Sequence, residues 1–276
     1  MALVNEKARI LSNECVGPLL YVMVLESPEI AAAVEPGQFV HMLVPGMGEH
    51  ILRRPFSVYA ADAMHGTVDI LYQVVGYGSD HMTTLTSDGP FADQVEMIGP
   101  VGHGWQAPAG AKRALLVGGG VGAAPLFMLA ESLVANGVSL DVVLGAQTEA
   151  ALTCRNRYEQ LLMNAKGDCA EAGPRCATDD GSYGRSGFCT SLVEEALDAA
   201  KQTGEPYDYL AVCGPEPLMK IVARMGDEAG VPTEISMEKR MACGIGACLS
   251  CVVDTVDGKK RACVDGPVFK SNEVMW

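Results

Sequence analysis

Along the N-terminal part of the chain, apolar positions fall in short runs that are separated by turn-forming residues. The runs that read as strands cover residues 7–11, 19–25, 39–43, 56–60, 68–74 and 94–98. Pro-Gly pairs at 36–37 and 45–46 and a His-Gly pair at 65–66 lie between them. Short strands at regular spacing with glycine and proline turns are typical of an antiparallel sandwich or barrel. The pattern therefore predicts an antiparallel β-barrel over residues 1–104.

The pattern changes after a Pro-Ala-Gly stretch at 108–110, which has the composition of a linker. A continuous apolar run at 114–117 ends in a glycine-rich turn, and an apolar helix follows. Later apolar runs at 140–144 and 208–213 are predicted to be strands, with helices between them. Strands that alternate with helices indicate a doubly wound parallel sheet. We therefore expect a nucleotide-binding α/β domain over residues 105–235.

The C-terminal segment 236–276 reads as a small third lobe that carries four cysteines. The first three follow the spacing C-x4-C-x2-C, and the fourth comes after eleven further residues that include an Asp-Gly turn signal. The four are Cys243, Cys248, Cys251 and Cys263. This is the plant-type spacing of a [2Fe–2S] cluster. Gly244 and Gly246 lie where such a loop needs positive φ or close backbone approach.

Two other interpretations of the four cysteines need to be compared with a cluster. Structural zinc also uses four cysteines, but these usually form two short pairs, whereas three are grouped here and one stands alone. Disulfides require an oxidising compartment, and nothing in the chain indicates one. The spacing therefore favours an iron–sulfur cluster, and a zinc-stabilised interaction module is the alternative from a different functional class.

A flavin site is predicted in the barrel from three separate stretches. Arg54-Pro55-Phe56-Ser57 resembles the R-x-[YF]-[ST] flavin motif of the ferredoxin-reductase superfamily, in which a guanidinium can pair with a pyrophosphate. Residues 71–73 follow on a later strand, and a glycine-rich turn then precedes a short helix at 80–85, where free amides can bind phosphate. The expected FAD contacts are Arg54, Pro55, Phe56, Ser57, Leu71, Tyr72, Gln73, Gly78 and Ser79.

The glycine turn of the α/β domain follows a strand and precedes a helix, which is the context of a dinucleotide site. Its expected cofactor contacts are Gly118, Gly119, Gly120 and Gly122. In ferredoxin-reductase relatives a segment like Cys213-Gly214-Pro215 lies beside the nicotinamide, so Cys213 is a candidate catalytic residue and Gly214 a candidate contact. Glu149 is the available acidic partner for a ribose, while Arg155 and Arg157 offer charge for a 2′-phosphate. NAD is preferred over NADP on this basis.

Net charge, the lengths of the apolar runs and the cysteine count limit the partners and the compartment expected for the protein. A net charge of −14 argues against binding to nucleic acid or to anionic membranes. No apolar run has the length of a membrane span. No signal peptide is evident in the sequence. Ten cysteines without a secretion signal suggest that the protein works in a reducing cytoplasm. The cysteines outside the predicted cluster are expected to be mostly small buried residues, and they are Cys15, Cys154, Cys169, Cys176, Cys189 and Cys213. The histidines are expected to be exposed or hydrogen-bonded.

The order of these modules resembles one family, the electron-transfer subunits of the two-subunit, NAD-dependent dihydroorotate dehydrogenases. The segments that carry the resemblance are RRPFS, LLVGGGVGAAPL, DDGSYGRSGF, CGPEPLMK and MEKRMACGIGACLSC. The resemblance implies FAD, a [2Fe–2S] cluster and NAD as cofactors, and an FMN-containing catalytic subunit as the partner in a heterotetramer of two plus two. It also implies that electrons pass from that FMN through the cluster and FAD to NAD+ in pyrimidine biosynthesis.

A second family is also similar. The flavin subunit of NADH-dependent ferredoxin:NADP oxidoreductase, also described as a sulfide dehydrogenase, has the same three modules. Its first cluster ligand is an aspartate, in the spacing D-x4-C-x2-C. This chain has Cys243 at that position, which favours the dihydroorotate family.

Overall fold

The computed structural model describes residues 3–88, 93–166 and 173–276, and these form two compact units. The first unit contains Met1–Gly104 and Met237–Pro267, and the second contains Trp105–Ser236 and Val268–Trp276. The segment that the sequence suggests as a third lobe is therefore divided between them. No helix within the described ranges is long and apolar enough to cross a membrane.

The strands are β1 Val4–Gly17, β2 Leu20–Glu26, β3 Phe39–Leu43, β4 Arg54–Ser57, β5 Ala60–Asp62, β6 Thr67–Gln73, β7 Gln94–Val101, β8 Arg113–Gly119, β9 Ser139–Ala146, β10 Arg175–Thr178, β11 Arg185–Ser186, β12 Tyr209–Cys213, β13 Thr233–Ser236, β14 Val252–Thr255, β15 Gly258–Arg261 and β16 Val268–Lys270. The α-helices are α1 Pro28–Ala33, α2 Tyr77–Met82, α3 Phe127–Ala135, α4 Arg155–Lys166, α5 Thr190–Thr203 and α6 Glu216–Ala229. Short 3₁₀-helices cover Gly120–Leu126, Glu149–Ala151 and Ser271–Glu273.

The first unit is built on one antiparallel sheet of seven strands in the order β4-β3-β7-β1-β2-β6-β5. Its apolar side chains form a closed core, because alternate residues of each strand face the same side. Fully buried members of this core are Ala8, Ile10, Met23, Leu25, Val40, Met42, Ile70 and Met97. The predicted antiparallel barrel is confirmed.

One detail of the barrel prediction is wrong, because residues 56–60 do not form a single strand. β4 ends at Ser57 and pairs with β3, whereas β5 begins at Ala60 and pairs with β6 at the opposite edge of the sheet. Between them the amide of Val58 donates to the carbonyl of Gln38, and the amide of Tyr59 donates to that of Asp69. Successive residues thus bond to the two opposite sides of the sheet, which closes it into a barrel.

The second unit is a seven-stranded sheet in the order β11-β10-β9-β8-β12-β13-β16, parallel except for β16. The chain runs from β8 through β9 to β11 on one side, and then crosses to β12 and β13 on the other side. The predicted doubly wound sheet is confirmed. The carboxyl ends of β8 and β12 therefore mark the point at which the strand order reverses, which is where open α/β sheets bind their ligands.

Candidate redox sites

The cysteine loop between β13 and β14 belongs to the first unit and has the predicted backbone shape. Gly244 has φ 68° and Gly246 has φ 83°, so both glycines occupy the left-handed region as expected. Leu249 shares this region with φ 60° although it carries a side chain. Three turns of this kind fold the loop back on itself and bring its cysteines together.

The four cysteines form two pairs. Cys251 Sγ and Cys263 Sγ are 3.3 Å apart, and both residues are buried. Cys248 hydrogen-bonds with Cys243 and with Ser250. Two pairs of thiols match a cluster in which each of two irons takes two cysteines. Within the described ranges no three His, Cys, Asp or Glu side chains converge on one point.

Backbone amides of the loop point at the first cysteine. The N–H groups of Ile245 and Cys248 donate to Cys243 Sγ at 3.5 and 3.4 Å. Hydrogen bonds from Ser250 and Cys243 lower the pKa of Cys248 to about 6, whereas burial raises the pKa of Cys263 to about 12. Amides directed at sulfur stabilise the thiolate form that binds metal. The residues present therefore fit a [2Fe–2S] cluster.

Residues predicted to contact a flavin come together in the same unit. The ring of Phe56 on β4 meets the ring of Tyr72 on β6 edge to face, with centroids 6.1 Å apart. Tyr72 also stacks on Tyr21 at 5.6 Å. A Cβ atom on Gly78 would lie 2.8 Å from Arg54 Nε, so the glycine lets the guanidinium lie against the start of α2. Three stretches that are distant in the sequence thus share one surface.

The remaining predicted flavin contacts differ in how far they are buried. Pro55 and Ser57 are half-buried in β4, while Leu71 is buried and Gln73 is exposed at the end of β6. The hydroxyl of Ser79 accepts hydrogen bonds from the amides of Val75 and Gly76 and donates to the carbonyl of Gly76. This hydroxyl holds the start of α2, so a ligand would meet the first-turn amides there, which have no intrahelical acceptor.

In the second unit, the glycine turn lies against the segment that follows β12. A Cβ atom on Gly122 would lie 2.5 Å from the carbonyl oxygen of Cys213, and one on Gly119 would lie 2.5 Å from Leu218 Cδ2. Side chains at these positions would therefore collide with their surroundings, whereas Gly120, with φ 55°, faces open space. In this close packing Gly118, Gly119 and Gly122 are buried, and Gly120, directly after β8, is exposed.

The partly exposed Cys213 is the last residue of β12 and pairs in register with Gly118 on β8. Gly214 follows with φ 154°, and a Cβ atom there would lie 3.0 Å from Gly119 Cα. The structure thus brings Cys213, Gly214 and the glycine turn together at the point where the strand order reverses.

The residues considered for the choice between NAD and NADP, Glu149 and Arg155, form an ion pair. Arg155 Nη1 lies 3.3 Å from Glu149 Oε1, and its Nε lies 3.4 Å from Glu159 Oε1. The guanidinium of Arg155 also lies 4.1 Å from the centre of the Tyr183 ring. Arg157 lies over the ring of Phe127 at 5.4 Å. Arg155 is therefore already engaged by two carboxylates.

Sequence reasoning missed one residue beside the cysteine loop. His41 on β3 is fully buried, and neither ring nitrogen makes a hydrogen bond of good geometry, contrary to the expectation for the histidines. Among the other cysteines, Cys15 is exposed, whereas those buried are Cys154, Cys176 and Cys189. Cys169 lies outside the described residues.

Solved structures with a similar fold include an oxidoreductase and a reductase domain. One is the structure reported as "Insights into flavin-based electron bifurcation via the NADH-dependent reduced ferredoxin-NADP oxidoreductase structure", with a TM-score of 0.81, 27% identity, and coverage of 98% of this chain and 90% of that chain. The cytochrome b5 reductase domain of nitrate reductase from Ulva prolifera matches with a TM-score of 0.63, 20% identity, and coverage of 84% and 97%. Both matches show that the chain has a ferredoxin-reductase-like fold.

Relatives and family models agree on a more specific assignment. The protein named "Dihydroorotate dehydrogenase B (NAD(+)), electron transfer subunit" is 37% identical in Desulforamulus reducens, over 98% of this chain and 97% of the relative. The protein of the same name in Geobacillus thermodenitrificans is 38% identical, over 98% of both chains. These identities exceed the 27% to the ferredoxin-NADP oxidoreductase structure.

Two family models match this chain. Residues 116–224 match an oxidoreductase NAD-binding domain, and residues 238–275 match the "Iron-sulfur cluster binding domain of dihydroorotate dehydrogenase B". The second match covers the cysteine loop, β14, β15 and β16. The chain therefore belongs to the family of electron transfer subunits of dihydroorotate dehydrogenase B (NAD(+)).

Proposed function

We propose that this chain carries electrons between a catalytic partner subunit and NAD+, through a cluster held by Cys243, Cys248, Cys251 and Cys263 and an FAD held by the first unit. The pairing of the four thiols is the observation that carries the proposal, because it matches two irons with two cysteines each. When bound, the cluster supplies one-electron transfer and FAD links it to the two-electron chemistry of the nicotinamide. The chain's own residues bind and orient these groups.

Metal analysis tests this proposal directly. Protein purified anaerobically is expected to contain about two irons and two acid-labile sulfides per chain, together with bound FAD. Stoichiometric zinc without iron would contradict the proposal and support a zinc-stabilised module instead. Colour provides a rapid first indication, since an iron–sulfur flavoprotein is brown-yellow and a zinc protein is colourless.

For the flavin, we assign pyrophosphate binding to Arg54 and the start of α2, and ring contacts to Phe56, Ser57 and Tyr72. Support comes from the packing of the Arg54 guanidinium against Gly78 and from the contact between Phe56 and Tyr72. The further contacts that we assign are Pro55, Leu71, Gln73 and Ser79. These residues bind and orient the flavin, and none of them needs to exchange a proton with a pyrimidine substrate.

Arg54→Ala is expected to weaken FAD retention, because it removes a charge-assisted contact to a phosphate worth about 1.5–3 kcal/mol. The measurement is the FAD content that remains after extensive dialysis, compared with the wild type. Arg9→Ala is the matched control, since Arg9 lies on β1 of the same sheet and pairs with Glu26. Full FAD retention in the Arg54 variant would show that Arg54 does not bind the flavin and serves only the fold of the barrel.

For NAD, we assign the pyrophosphate to the turn formed by Gly118, Gly119, Gly120 and Gly122, and the nicotinamide to the side of Cys213 and Gly214. The position of both segments at the reversal of the strand order supports this assignment. Cys213 is our candidate for the catalytic residue beside the nicotinamide. Its role would be to hold the ring at the correct distance for hydride transfer.

The engagement of Arg155 supports a preference for NAD over NADP. A 2′-phosphate would have to displace the carboxylates of Glu149 and Glu159 from that guanidinium. Glu149→Gln should therefore raise the NADPH-dependent reduction of an artificial acceptor about tenfold in kcat/KM, since one charge-assisted contact is worth about 1.5 kcal/mol. Glu216→Gln, at the start of α6, is the control. An unchanged ratio of NADH to NADPH activity would show that Glu149 does not select the coenzyme.

The partner subunit is proposed to dock around residues 237–276. Ile245 and Leu249 support this surface, because both are more than half exposed on the cysteine loop, at 52% and 61%. The names of the relatives imply a catalytic subunit, and the family resemblance adds FMN, two copies of each chain and a cytoplasmic location. A pull-down from native lysate checks this, since it should recover an FMN-containing subunit that oxidises dihydroorotate.

A further inference from the structure

His41 combines complete burial with the lack of a well-formed hydrogen bond to either ring nitrogen. Its position on β3 places it opposite Pro55 of β4 and opposite Ile98 of β7. A buried polar group without a partner is unfavourable, so its presence in a closed core requires a physical explanation. The surroundings of the ring provide one.

On one side, the ring lies against the cysteine loop. A Cβ atom on Gly244 would lie 2.4 Å from His41 Nδ1 and 2.8 Å from its Cγ. Only glycine can approach the ring so closely, and its φ of 68° turns the loop there. The backbone of Cys243 faces the same ring. The turn that follows Cys243 thus packs directly against the imidazole ring of His41.

The strand of the flavin motif pairs with the strand that carries His41, and His41 lies opposite Pro55. Arg53, directly before β4, donates from Nη1 to the carbonyl of His41 at 3.5 Å and to the carbonyl of Glu96 at 2.9 Å. Burial, followed by the charge of Arg53, lowers the pKa of His41, and the ring also faces the backbone of Arg53. The side chain of His41 therefore lies between the backbone of Arg53, which precedes the flavin motif, and the cysteine loop.

The turn at Gly244 controls the hydrogen bonds to the first cysteine. The amides that donate to Cys243 Sγ belong to Ile245 and Cys248, and both follow Gly244 along the chain. A shift of Gly244 would therefore move both donors away from the sulfur. Hydrogen bonds to the sulfurs are among the features that set the reduction potential of an iron–sulfur cluster. Groups outside the ligand set commonly act through the ligands in this way.

We propose that His41 is a positioning residue, which holds the Gly244 turn against the barrel and thereby sets the reduction potential of a cluster bound by this loop. The inference rests on the proposed function, because it assumes the cluster and the FAD. It assigns to His41 no contact with substrate and no transfer of a proton.

The test compares three variants of the full chain loaded with cluster and FAD. His41→Leu removes the ring nitrogens at similar size, His41→Asn keeps a polar atom close to the position of Nδ1, and Met42→Leu alters the next buried residue of the same strand. In His41→Leu the amide bonds to sulfur should lengthen, which makes reduction harder. The one-electron potential should fall by about 59 mV, a tenfold change in the equilibrium, with altered cluster EPR g values. His41→Asn should lie between that variant and the wild type, and Met42→Leu should match the wild type.

Three outcomes would overturn the inference. An unchanged potential and spectrum in His41→Leu at full iron content would show that the ring does not position the cluster. A raised potential would contradict the proposed direction. Equal loss of iron in all three variants would indicate general packing on β3. Iron loss in the two His41 variants but not in Met42→Leu would support the role of His41 in positioning the cysteine loop. A wild-type chain that binds neither cluster nor FAD would instead refute the proposed function.

A reciprocal test uses the glycine. Gly244→Ala places a methyl group against the ring and should weaken cluster retention. In the double variant His41→Ala/Gly244→Ala the collision disappears, while the cost of the positive φ remains the same in both backgrounds. The double variant should therefore retain more iron than the sum of the two single losses predicts. Strictly additive losses would overturn the direct contact on which the inference depends.

Discussion

The Cys248→Ser chain, purified anaerobically, is expected to retain its FAD and to lose its iron. Cys248 belongs to the pair formed with Cys243, and the amide of Cys248 donates to the sulfur of Cys243. Loss of one thiolate leaves one iron without its full ligand set, so the cluster should not assemble stably. The flavin contacts that we propose, on β4, β6 and α2, do not include this loop. Iron and sulfide content and visible absorption measure the loss of the cluster, and the FAD content measures the retention of the flavin.

Cys15→Ser is the matched control for this prediction. Cys15 is an exposed cysteine of the same unit, on β1 and outside the cluster loop. This variant should keep both iron and FAD. Full iron content in Cys248→Ser would show that the cluster ligands are wrongly assigned, and loss of FAD from the same variant would show that the loop also supports the flavin site.

The isolated chain should oxidise NADH with an artificial one-electron acceptor and should show no oxidation of dihydroorotate. The second unit supplies a dinucleotide site, and the first unit supplies the proposed FAD and cluster sites. No residue that we have assigned in this chain acts as a base on a pyrimidine. Addition of the catalytic subunit should then create dihydroorotate-dependent reduction of NAD+, measured by the absorbance of NADH.

The Cys248→Ser variant also separates the roles in the assembled enzyme. It should abolish the NAD+-linked activity, while dihydroorotate still reduces the partner's own FMN. Full NAD+-linked turnover without the cluster would mean that electrons take another route. Dihydroorotate oxidation by the isolated chain would place the pyrimidine chemistry here rather than in the partner.

The fold could be predicted largely from the sequence, because strands and turns leave local signals. Apolar runs and glycine turns located both sheets, and Gly244 and Gly246 were identified from the geometry that a tight loop needs. The division of residues 56–60 between opposite edges of the barrel could not be predicted, since each half matches a different partner strand. That information lies in the pairing and not in the local composition.

The two features missed at the sites differ in origin, because one is local and the other is non-local. The hydroxyl of Ser79 holds its own helix, a choice that depends on the geometry of Val75 and Gly76. The environment of His41 is set by Gly244, which lies far along the chain. A histidine in an apolar run gives no local signal of such a contact, so its burial against the cysteine loop became visible only in three dimensions.

The connection between β13 and β16 has a consequence for dissecting the molecule. The segment Met237–Pro267 leaves the nucleotide-binding sheet after Ser236 and returns at Val268, and these two residues are register partners in an antiparallel pair. The segment that carries all four proposed cluster cysteines is therefore an insertion closed at its base, like the tip of an enlarged hairpin. A deletion that joins β13 to β16 by a tight turn would keep every strand of that sheet, whereas a stop after Ser236 would strip its edge. Protein engineers who want an NAD-binding module without the iron centre should excise the insertion and leave the tail in place.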